Sequence, residues 1–430
     1  MTFDIIIKDG TILDGVKNEG FLADVGIAGD KIKAVGRLSR SSAKTVISAE
    51  NKYVTPGFVD IQNHSDSYLT LIETPALPSL VSQGITTIAV GHCGASLGPL
   101  PNLEALRSVQ KWHSLAGANL NWLNFDEYFA TLANYPLGLN VASLAGHATV
   151  RRGLLKDEIR PATPEEIEIE TKIFRESLEA GAAGLSMGLV YAHEVSSNAE
   201  ELLAVAHTAA SRNRLLSVHL RSESSHVVEA VNEVIGLTEA AKSRTKISHF
   251  KIRNQKNWPL FEEVAASLKR AYERGVDIFF DVYPYTTSWS VLYTYLPKWA
   301  YEGGGRKLIL QNLASPENRS RILSHLKPSE QSFKDILVAT SETNPAFVGK
   351  TLGQIGENQE ISPSEALLNV ISGTNAQVEV FDHNLSEDIL LALLKDPLSV
   401  VATDGAGYDL NAPYLEGLVH PRCFGAIPKF

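Results

Sequence analysis

The pattern of apolar and polar positions changes at about residue 54. Before that point, apolar and polar residues alternate over 3–7, and short apolar runs flank Gly29-Asp30. This alternation predicts β-strands that bury one face, with hairpin turns at Asp9-Gly10 and Gly29-Asp30. A sheet this small cannot bury both faces alone, so we expect the strands of residues 1–55 to pack on something else.

After residue 54, short apolar runs alternate with helical segments. Thr163, Pro164 and Glu166 have the spacing of an N-cap, a first helical residue and a capping box, and Gly181 suits the end of that helix. Asn198 marks the start of a second helix. Repeated alternation of strand and helix predicts a parallel sheet.

Residue types that bind metals recur where the predicted strands end. They are His64, Cys93, His219, His249 and Asp404. The carboxyl ends of the strands form the active-site face of a (β/α)₈ barrel. A doubly wound sheet is the alternative, but it would gather such residues at one switch point. We therefore predict an α/β fold with a (β/α)₈ barrel over 56–430 and a mostly helical insertion, interpreted as a lid, at about 288–354.

Composition narrows the functional classes. The 430 residues are 44% apolar and 20% charged, as in ordinary globular proteins. A net charge of −10 without a basic cluster argues against nucleic-acid and membrane surfaces. Two cysteines, Cys93 and Cys423, cannot build a disulfide framework. No signal peptide or run of about 20 apolar residues is evident, so we expect a cytoplasmic protein.

Eight segments, in order along the chain, carry a resemblance to a known family. They are 56–60, 83–87, 91–97, 146–151, 219–223, 248–251, 281–285 and 403–405. Together they resemble the N-acyl-D-amino-acid deacylases (D-aminoacylases) of the amidohydrolase superfamily. The resemblance implies a barrel with a small N-terminal β-sandwich. It also implies zinc-dependent hydrolysis of N-acyl-D-amino acids to a carboxylate and a D-amino acid.

The resemblance also implies a metal site at Cys93, His219 and His249, with Asp404 beside it. Zinc prefers thiolate and imidazole, and three protein ligands plus a water form the catalytic arrangement. Considered alone, Cys93 could equally be a buried core thiol, and Asp404 could be a helix N-cap. Within the matched motif, Asp404 is expected to act as general base and then as general acid.

One position departs from the family pattern. Family members have His-x-His after the first barrel strand, whereas this chain has Gln62-Asn63-His64. Glutamine is a poor zinc ligand, so we expect one tightly bound zinc and a weak or empty second site. His64 is interpreted either as a weak second-site ligand or as a hydrogen-bonding residue of the pocket.

Four residues are candidates for substrate binding. Lys251, two residues beyond His249, is the lysine that the family uses to bind the substrate carboxylate, and Arg221 could assist. A surface salt bridge is the alternative for either cation. Tyr191 and Tyr283 could hydrogen-bond the carboxylate or the developing oxyanion, although barrel tyrosines more often serve in packing. In the matched motif, His147 is expected to have a structural role or to support the site residues from behind.

Family members continue beyond residue 430 with strands that complete the sandwich. We therefore expect a partial sequence; the alternatives are a second chain that supplies the remainder and a degenerate member of the family. Two alternative functions are a cyclic-amide hydrolase of the dihydroorotase or hydantoinase kind and a non-catalytic barrel that serves in binding or assembly. The former uses a carbamylated strand-end lysine, which 182–188 lacks. The preferred acyl group and side chain depend on loop geometry.

Overall fold

The structure, a computed structural model, describes residues 2–17, 19–109, 118–156, 158–302, 304–341, 343–409, 411 and 417–429. The chain divides into two compact units, residues 1–58 and residues 59–430.

The first unit is built on a five-stranded sheet. Its strands are β1 (Thr2–Ile12), β2 (Phe21–Ala28), β3 (Lys31–Gly36), β4 (Ser42–Ser48) and β5 (Tyr53–Val54). Their order is β3-β2-β1-β4, with β5 also paired to β1. The predicted hairpin at Gly29-Asp30 is confirmed, because Ala28 pairs with Lys31 across it.

The hairpin turn predicted at Asp9-Gly10 is wrong. Strand β1 runs through both residues, and its register with β2 shifts between Ile7 and Gly10. Asp9 has a φ of 61°, and its N–H donates to Asp24 Oδ1 at 3.0 Å. The Asp-Gly pair therefore forms a β-bulge inside a continuing strand, since that hydrogen bond to β2 holds Asp9 in the sheet.

The second unit contains a barrel of eight parallel strands. In chain order the strands of this part are β6 (Phe58–Asp60), β7 (Ile85–Val90), β8 (Asn140–Gly146), β9 (Gly184–Gly188), β10 (Leu215–His219), β11 (Arg244–Ile247), β12 (Ile278–Val282), β13 (Ser288–Val291), β14 (Leu337–Thr340), β15 (Glu379–Asp382) and β16 (Ser399–Val401). The barrel order is β16-β12-β11-β10-β9-β8-β7-β6. Its two ends meet where Asp404 N donates to Gln62 O at 2.9 Å and His64 N donates to Gly405 O at 2.7 Å. The prediction of a (β/α)₈ barrel is confirmed.

Helices connect the strands. They are α1 (Thr70–Glu73), α2 (Pro78–Val81), α3 (Phe125–Leu132), α4 (His147–Leu155), α5 (Pro164–Glu179), α6 (Ala199–Ser211), α7 (Val227–Ala241), α8 (Phe261–Glu273), α9 (Gly305–Ala314), α10 (Pro316–Leu326), α11 (Leu352–Gln359), α12 (Pro363–Gly373), α13 (Glu387–Leu394) and α14 (Arg422–Lys429). Short 3₁₀ helices are Leu103–Ser108, Gln255–Leu260, Leu292–Tyr295, Lys298–Ala300, Lys327–Phe333 and Pro345–Phe347. None of the helices in the described ranges combines the length and the apolar character needed to cross a bilayer.

The helix signals in the sequence are confirmed. Thr163 accepts from the N–H of Glu166, and the Glu166 carboxylate accepts from the N–H of Thr163, which completes the capping box of α5. Gly181, just beyond the helix, has a φ of 107°. Asn198 caps α6 by accepting from the N–H of Glu201.

The main core lies between the barrel strands and the surrounding helices. Its buried members include Val205 of α6, Leu216 of β10, Val231 of α7, Ile247 of β11 and Phe280 of β12. This packing fixes the strand ends, and hence the loops that carry the candidate site.

The inserted segment between β12 and β16 is longer than the predicted 288–354. It contains helices α9–α12 and a three-stranded antiparallel sheet of order β13-β15-β14. Strand β13 pairs with β15 through Ser288 and Asp382. Local sequence patterns did not indicate this sheet, because its strands are short and pair over a long stretch of chain.

Candidate metal centre

Three side chains converge where β7, β10 and β11 end. One ligand atom from each of Cys93, His219 and His249 lies within 4.8 Å of the other two, and all three side chains are buried. Cys93 Sγ is 3.3 Å from His249 Nε2. His219 Nδ1 is buried and has no hydrogen-bond partner among the described residues. A thiol and two imidazoles at this spacing fit a tetrahedral divalent cation with a fourth position open.

The backbone turns sharply at these positions. Cys93, His249 and Asp404 have φ angles of 55°, 38° and 49°. Non-glycine residues adopt this left-handed conformation only where the surroundings impose it. One such contact is the N–H of His249, which donates to Asp281 Oδ2 at 3.0 Å. Next to Cys93, Gly94 also has a positive φ, and a Cβ there would lie 2.1 Å from Glu194 Oε2.

A buried carboxylate orients one of the histidines. Glu223 Oε1 lies 3.2 Å from His249 Nδ1 and 2.6 Å from Lys251 Nζ. Because Nδ1 faces these two groups, Nε2 of His249 is turned toward Cys93. Burial alone would raise the pKa of Glu223, but Lys251 and then His219 lower it well below its usual range.

The protonation state of His219 is also suitable for binding a metal ion. Burial lowers the pKa of His219 well below its ordinary value. The imidazole is therefore neutral at physiological pH, and the neutral imidazole is the form that binds a metal ion.

Asp404 lies beside the three candidate ligands. Its Oδ2 accepts from Arg422 Nη1 at 2.6 Å, and its Oδ1 is 3.1 Å from His64 Nε2. Burial alone would raise the pKa of Asp404, but the guanidinium of Arg422 lowers it well below its usual range. Asp404 is thus a carboxylate at neutral pH, able to accept a proton.

Gln62 lies beside the same group and is held by a buried lysine. Lys246 Nζ donates to Gln62 Oε1 at 2.5 Å and forms an ion pair with Asp281 Oδ1 at 2.9 Å. The amide nitrogen of Gln62 is thereby directed toward Cys93 Sγ at 3.7 Å and Asp404 Oδ1 at 3.4 Å. A hydrogen-bond donor, and not a metal-binding atom, thus faces Cys93 and Asp404.

A cleft of about 450 Å³ opens over the three candidate ligands, and Lys251 and Tyr191 line it. Burial alone would lower the pKa of Lys251, but Glu223 raises it above its ordinary value, so Lys251 is a cation. The Tyr191 ring lies 5.1 Å from the His219 ring. Tyr283 lies nearby: its buried hydroxyl has no hydrogen-bond partner within the described part of the chain, and Lys251 Nζ is 5.9 Å from its ring centroid.

Arg221 does not join this group, contrary to the expectation from sequence. Its Nε and Nη2 donate to the Glu233 carboxylate at 2.9 to 3.1 Å, and its Nη1 donates to Val195 O at 2.8 Å. The guanidinium connects the end of β10 to α7 and does not line the cleft. The spacing from His219 was misleading, because the side chain turns toward its own following helix.

Several residues of the cleft and its surroundings were missed from the sequence. Glu223 follows His219 by four residues within a matched motif, so its position was a usable signal. Arg422 on α14 and Arg253 after β11 also line the cleft. No sequence pattern around either residue predicted this position. Lys246 occupies an inward position on β11, and only the fold brings it to Gln62.

A second group, around His147, also has ligand atoms close together. His147 Nε2 lies 3.0 Å from Glu201 Oε1 and 3.2 Å from Glu170 Oε1, and Nδ1 lies 2.9 Å from Glu194 Oε1. Burial alone would lower the pKa of His147, but these carboxylates raise it well above its usual range. Arg151 Nε already donates to Glu201 Oε1 at 2.5 Å. The group is therefore a buried ionic network that joins α4, α5 and α6, in agreement with the structural role expected for His147.

The chain matches a protein family and is similar to enzymes of known function. Residues 45–308 match the amidohydrolase family. The chain is 31% identical over 290 residues to a D-aminoacylase and 35% identical over 292 residues to an N-acyl-D-glutamate deacylase, both of Alcaligenes xylosoxydans xylosoxydans. Each match covers 67% of this chain, and they cover 59% and 58% of the respective relatives. The chain thus spans about three-fifths of the length of these two curated relatives.

A solved structure resembles the chain over nearly its whole length. It is the N-acyl-D-glutamate deacylase of Bordetella bronchiseptica, complexed with zinc and a phosphonate inhibitor that mimics the tetrahedral intermediate. The TM-score is 0.81 at 29% identity, covering 99% of this chain and 80% of that one.

Proposed function

Because this chain belongs to the amidohydrolase family, we propose that it is a zinc-dependent deacylase of N-acyl-D-amino acids. The products are a carboxylate and a free D-amino acid. The observation that carries this proposal is the convergence of Cys93, His219 and His249 beside the ionised Asp404. A cleft that also contains Lys251 supports it, since the substrate class has a free carboxylate.

Cys93, His219 and His249 would hold the metal ion. Zinc, when bound, supplies a hydroxide nucleophile near neutral pH and polarises the scissile carbonyl. Asp404 accepts the proton of the attacking water and returns it to the departing amine nitrogen. The Arg422 ion pair keeps Asp404 ionised until that proton arrives.

Cationic groups of this chain bind the substrate carboxylate. Lys251 and Arg422 line the same cleft. Lys251 Nζ lies 2.6 Å from Glu223 Oε1, and Arg422 Nη1 lies 2.6 Å from Asp404 Oδ2. The hydroxyl of Tyr283, buried and without a hydrogen-bond partner among the described side chains, is available as a further donor to the carboxylate. These contacts orient the amide toward Asp404.

The cyclic-amide hydrolase alternative has less support. Strand β9 reads Gly184-Leu185-Ser186-Met187-Gly188, which contains no lysine. The lysine that lies close by, Lys246 of β11, is already bound to Gln62 and Asp281.

The proposed activity is tested with paired D and L substrates. We expect release of free amino acid from N-acetyl-D-amino acids, little from the L-enantiomers, loss on chelation and recovery on adding back zinc. Hydrolysis that survives verified metal removal would contradict the proposal. A failure to hydrolyse any N-acyl-D-amino acid at full zinc occupancy would instead favour a binding or assembly role.

The number of metal ions bound per chain tests whether Gln62 prevents binding of a second ion. We expect one zinc per chain, because Gln62 directs an amide N–H donor, and not a metal-binding atom, toward Cys93 and Asp404. In Gln62→His, which restores His-x-His, we expect binding of up to two zinc ions per chain. Mass spectrometry of the metal content after dialysis measures this. Two tightly bound ions in the wild-type protein would overturn this interpretation, and Gln62→Asn is the control expected to stay at one.

A further inference from the structure

Lys251, Arg422 and Arg253 line the cleft, and one of these cations forms no direct ion pair with a carboxylate in the described part of the chain. Lys251 Nζ lies 2.6 Å from Glu223, and Arg422 Nη1 lies 2.6 Å from Asp404. Arg253 also lines the cleft, but it has no ion pair with any carboxylate within 4 Å in the described ranges. Its Nε is buried there without a hydrogen-bond partner.

The acidic groups near Arg253 are satisfied by other donors. Asp382 Oδ2 accepts from the Tyr295 hydroxyl at 2.6 Å and from Asn384 Nδ2 at 2.7 Å. Glu223 is paired with Lys251. Arg253 therefore interacts electrostatically with both carboxylates but forms a direct ion pair with neither of them in the described ranges.

Arg253 is nevertheless held in place. Its backbone N–H donates to Glu223 O at 2.7 Å, and its guanidinium lies over the Tyr295 ring at 4.8 Å from the centroid. Stacking on an aromatic face orients the planar guanidinium, and its Nε remains a donor without a partner among the described residues. The donors of Arg253 are thus positioned in the cleft before any ligand binds.

We propose that Arg253 binds a carboxylate on the substrate's side chain, so that the preferred substrates are N-acyl derivatives of acidic D-amino acids. This inference rests on the deacylase function proposed above. The α-carboxylate of such a substrate requires Lys251 and Arg422, and a second carboxylate requires a further cation. A guanidinium meets a carboxylate with two parallel hydrogen bonds, which gives both affinity and direction. An apolar side chain at the same place would leave buried donors unpaired.

The test compares N-acetyl-D-glutamate with its neutral isostere N-acetyl-D-glutamine. We expect the wild-type protein to favour glutamate by about 100-fold or more in kcat/KM, since a site built around a polar partner discriminates strongly. Arg253→Gln should reduce that ratio to within about 5-fold of unity, and Arg253→Lys should retain a clear preference for glutamate. Arg221→Gln is the matched control, because that arginine is bound to Glu233 outside the cleft, and its ratio should equal the wild-type ratio.

Charge reversal gives a second readout. Arg253→Glu should hydrolyse N-acetyl-D-lysine better than N-acetyl-D-glutamate, the opposite of the wild-type order. A wild-type ratio near one, or equal losses for both substrates in Arg253→Gln, would overturn the role of Arg253 while leaving the deacylase function intact. Absence of hydrolysis of every N-acetyl-D-amino acid would instead count against the deacylase function. If thermal melts show that Arg253→Glu does not fold, the wild-type and Arg253→Lys ratios decide the question.

Discussion

Replacing Cys93 with alanine should abolish both the zinc binding and the deacylation that we propose. Its thiol is the one sulfur ligand of the proposed centre and lies 3.3 Å from His249 Nε2. Loss of residues that only orient metal ligands lowers metal affinity about 10- to 100-fold, so loss of a ligand itself should exceed about 100-fold. Zinc content after dialysis and kcat/KM for an N-acetyl-D-amino acid measure the two effects. Both should fall together.

Cys423 provides a matched control for that experiment. It is also a buried cysteine, but its Sγ accepts from the N–H of Ala406 at 3.4 Å rather than facing the metal ligands. Burial raises the pKa of Cys423 to about 12, so it remains a neutral thiol. Cys423→Ala should therefore keep its zinc. Full zinc occupancy in Cys93→Ala would contradict the proposed ligand set.

Asp404→Asn should lower kcat by about 100- to 10,000-fold while the zinc content stays at one per chain. Asparagine has the size of aspartate but cannot accept a proton at neutral pH. The substrate contacts proposed for Lys251 remain, so KM should change much less than kcat. The three proposed metal ligands are also unchanged.

The zinc measurement separates the possible causes of a rate loss in Asp404→Asn. A large fall in kcat with full zinc occupancy supports proton transfer by Asp404. Activity within about tenfold of wild type would rule out that role. Loss of zinc in the variant would instead make Asp404 a metal ligand. His64→Gln is an instructive comparison, since His64 Nε2 contacts the same carboxylate at 3.1 Å, and we expect a smaller loss there.

The features that could be predicted from sequence are those with a local signature. The capping box at Thr163 and Glu166 lies within four residues, and the strand–helix alternation marks each barrel unit. Because barrel strands all end at one face, residues at strand ends such as Cys93 and His249 could be predicted to meet. The identity of the cation depended on a family resemblance.

The features that were missed depend on contacts between distant parts of the chain. Arg422 reaches Asp404 from α14, and Lys246 reaches Gln62 across the barrel interior. The sheet of the insertion pairs Ser288 with Asp382. Arg221 is the reverse case. Its spacing from His219 predicted a position in the cleft, but its guanidinium forms an ion pair with Glu233 on the following helix. In each case a side chain's partner is set by packing that no local pattern records.

X-ray absorption at the zinc edge would examine the metal centre itself. We predict one zinc per chain, bound by one sulfur at about 2.3 Å and two imidazole nitrogens at about 2.0–2.1 Å, with an oxygen ligand completing the shell. A zinc shell without sulfur, or a purified active protein that contains no divalent metal, would contradict a centre built from Cys93, His219 and His249.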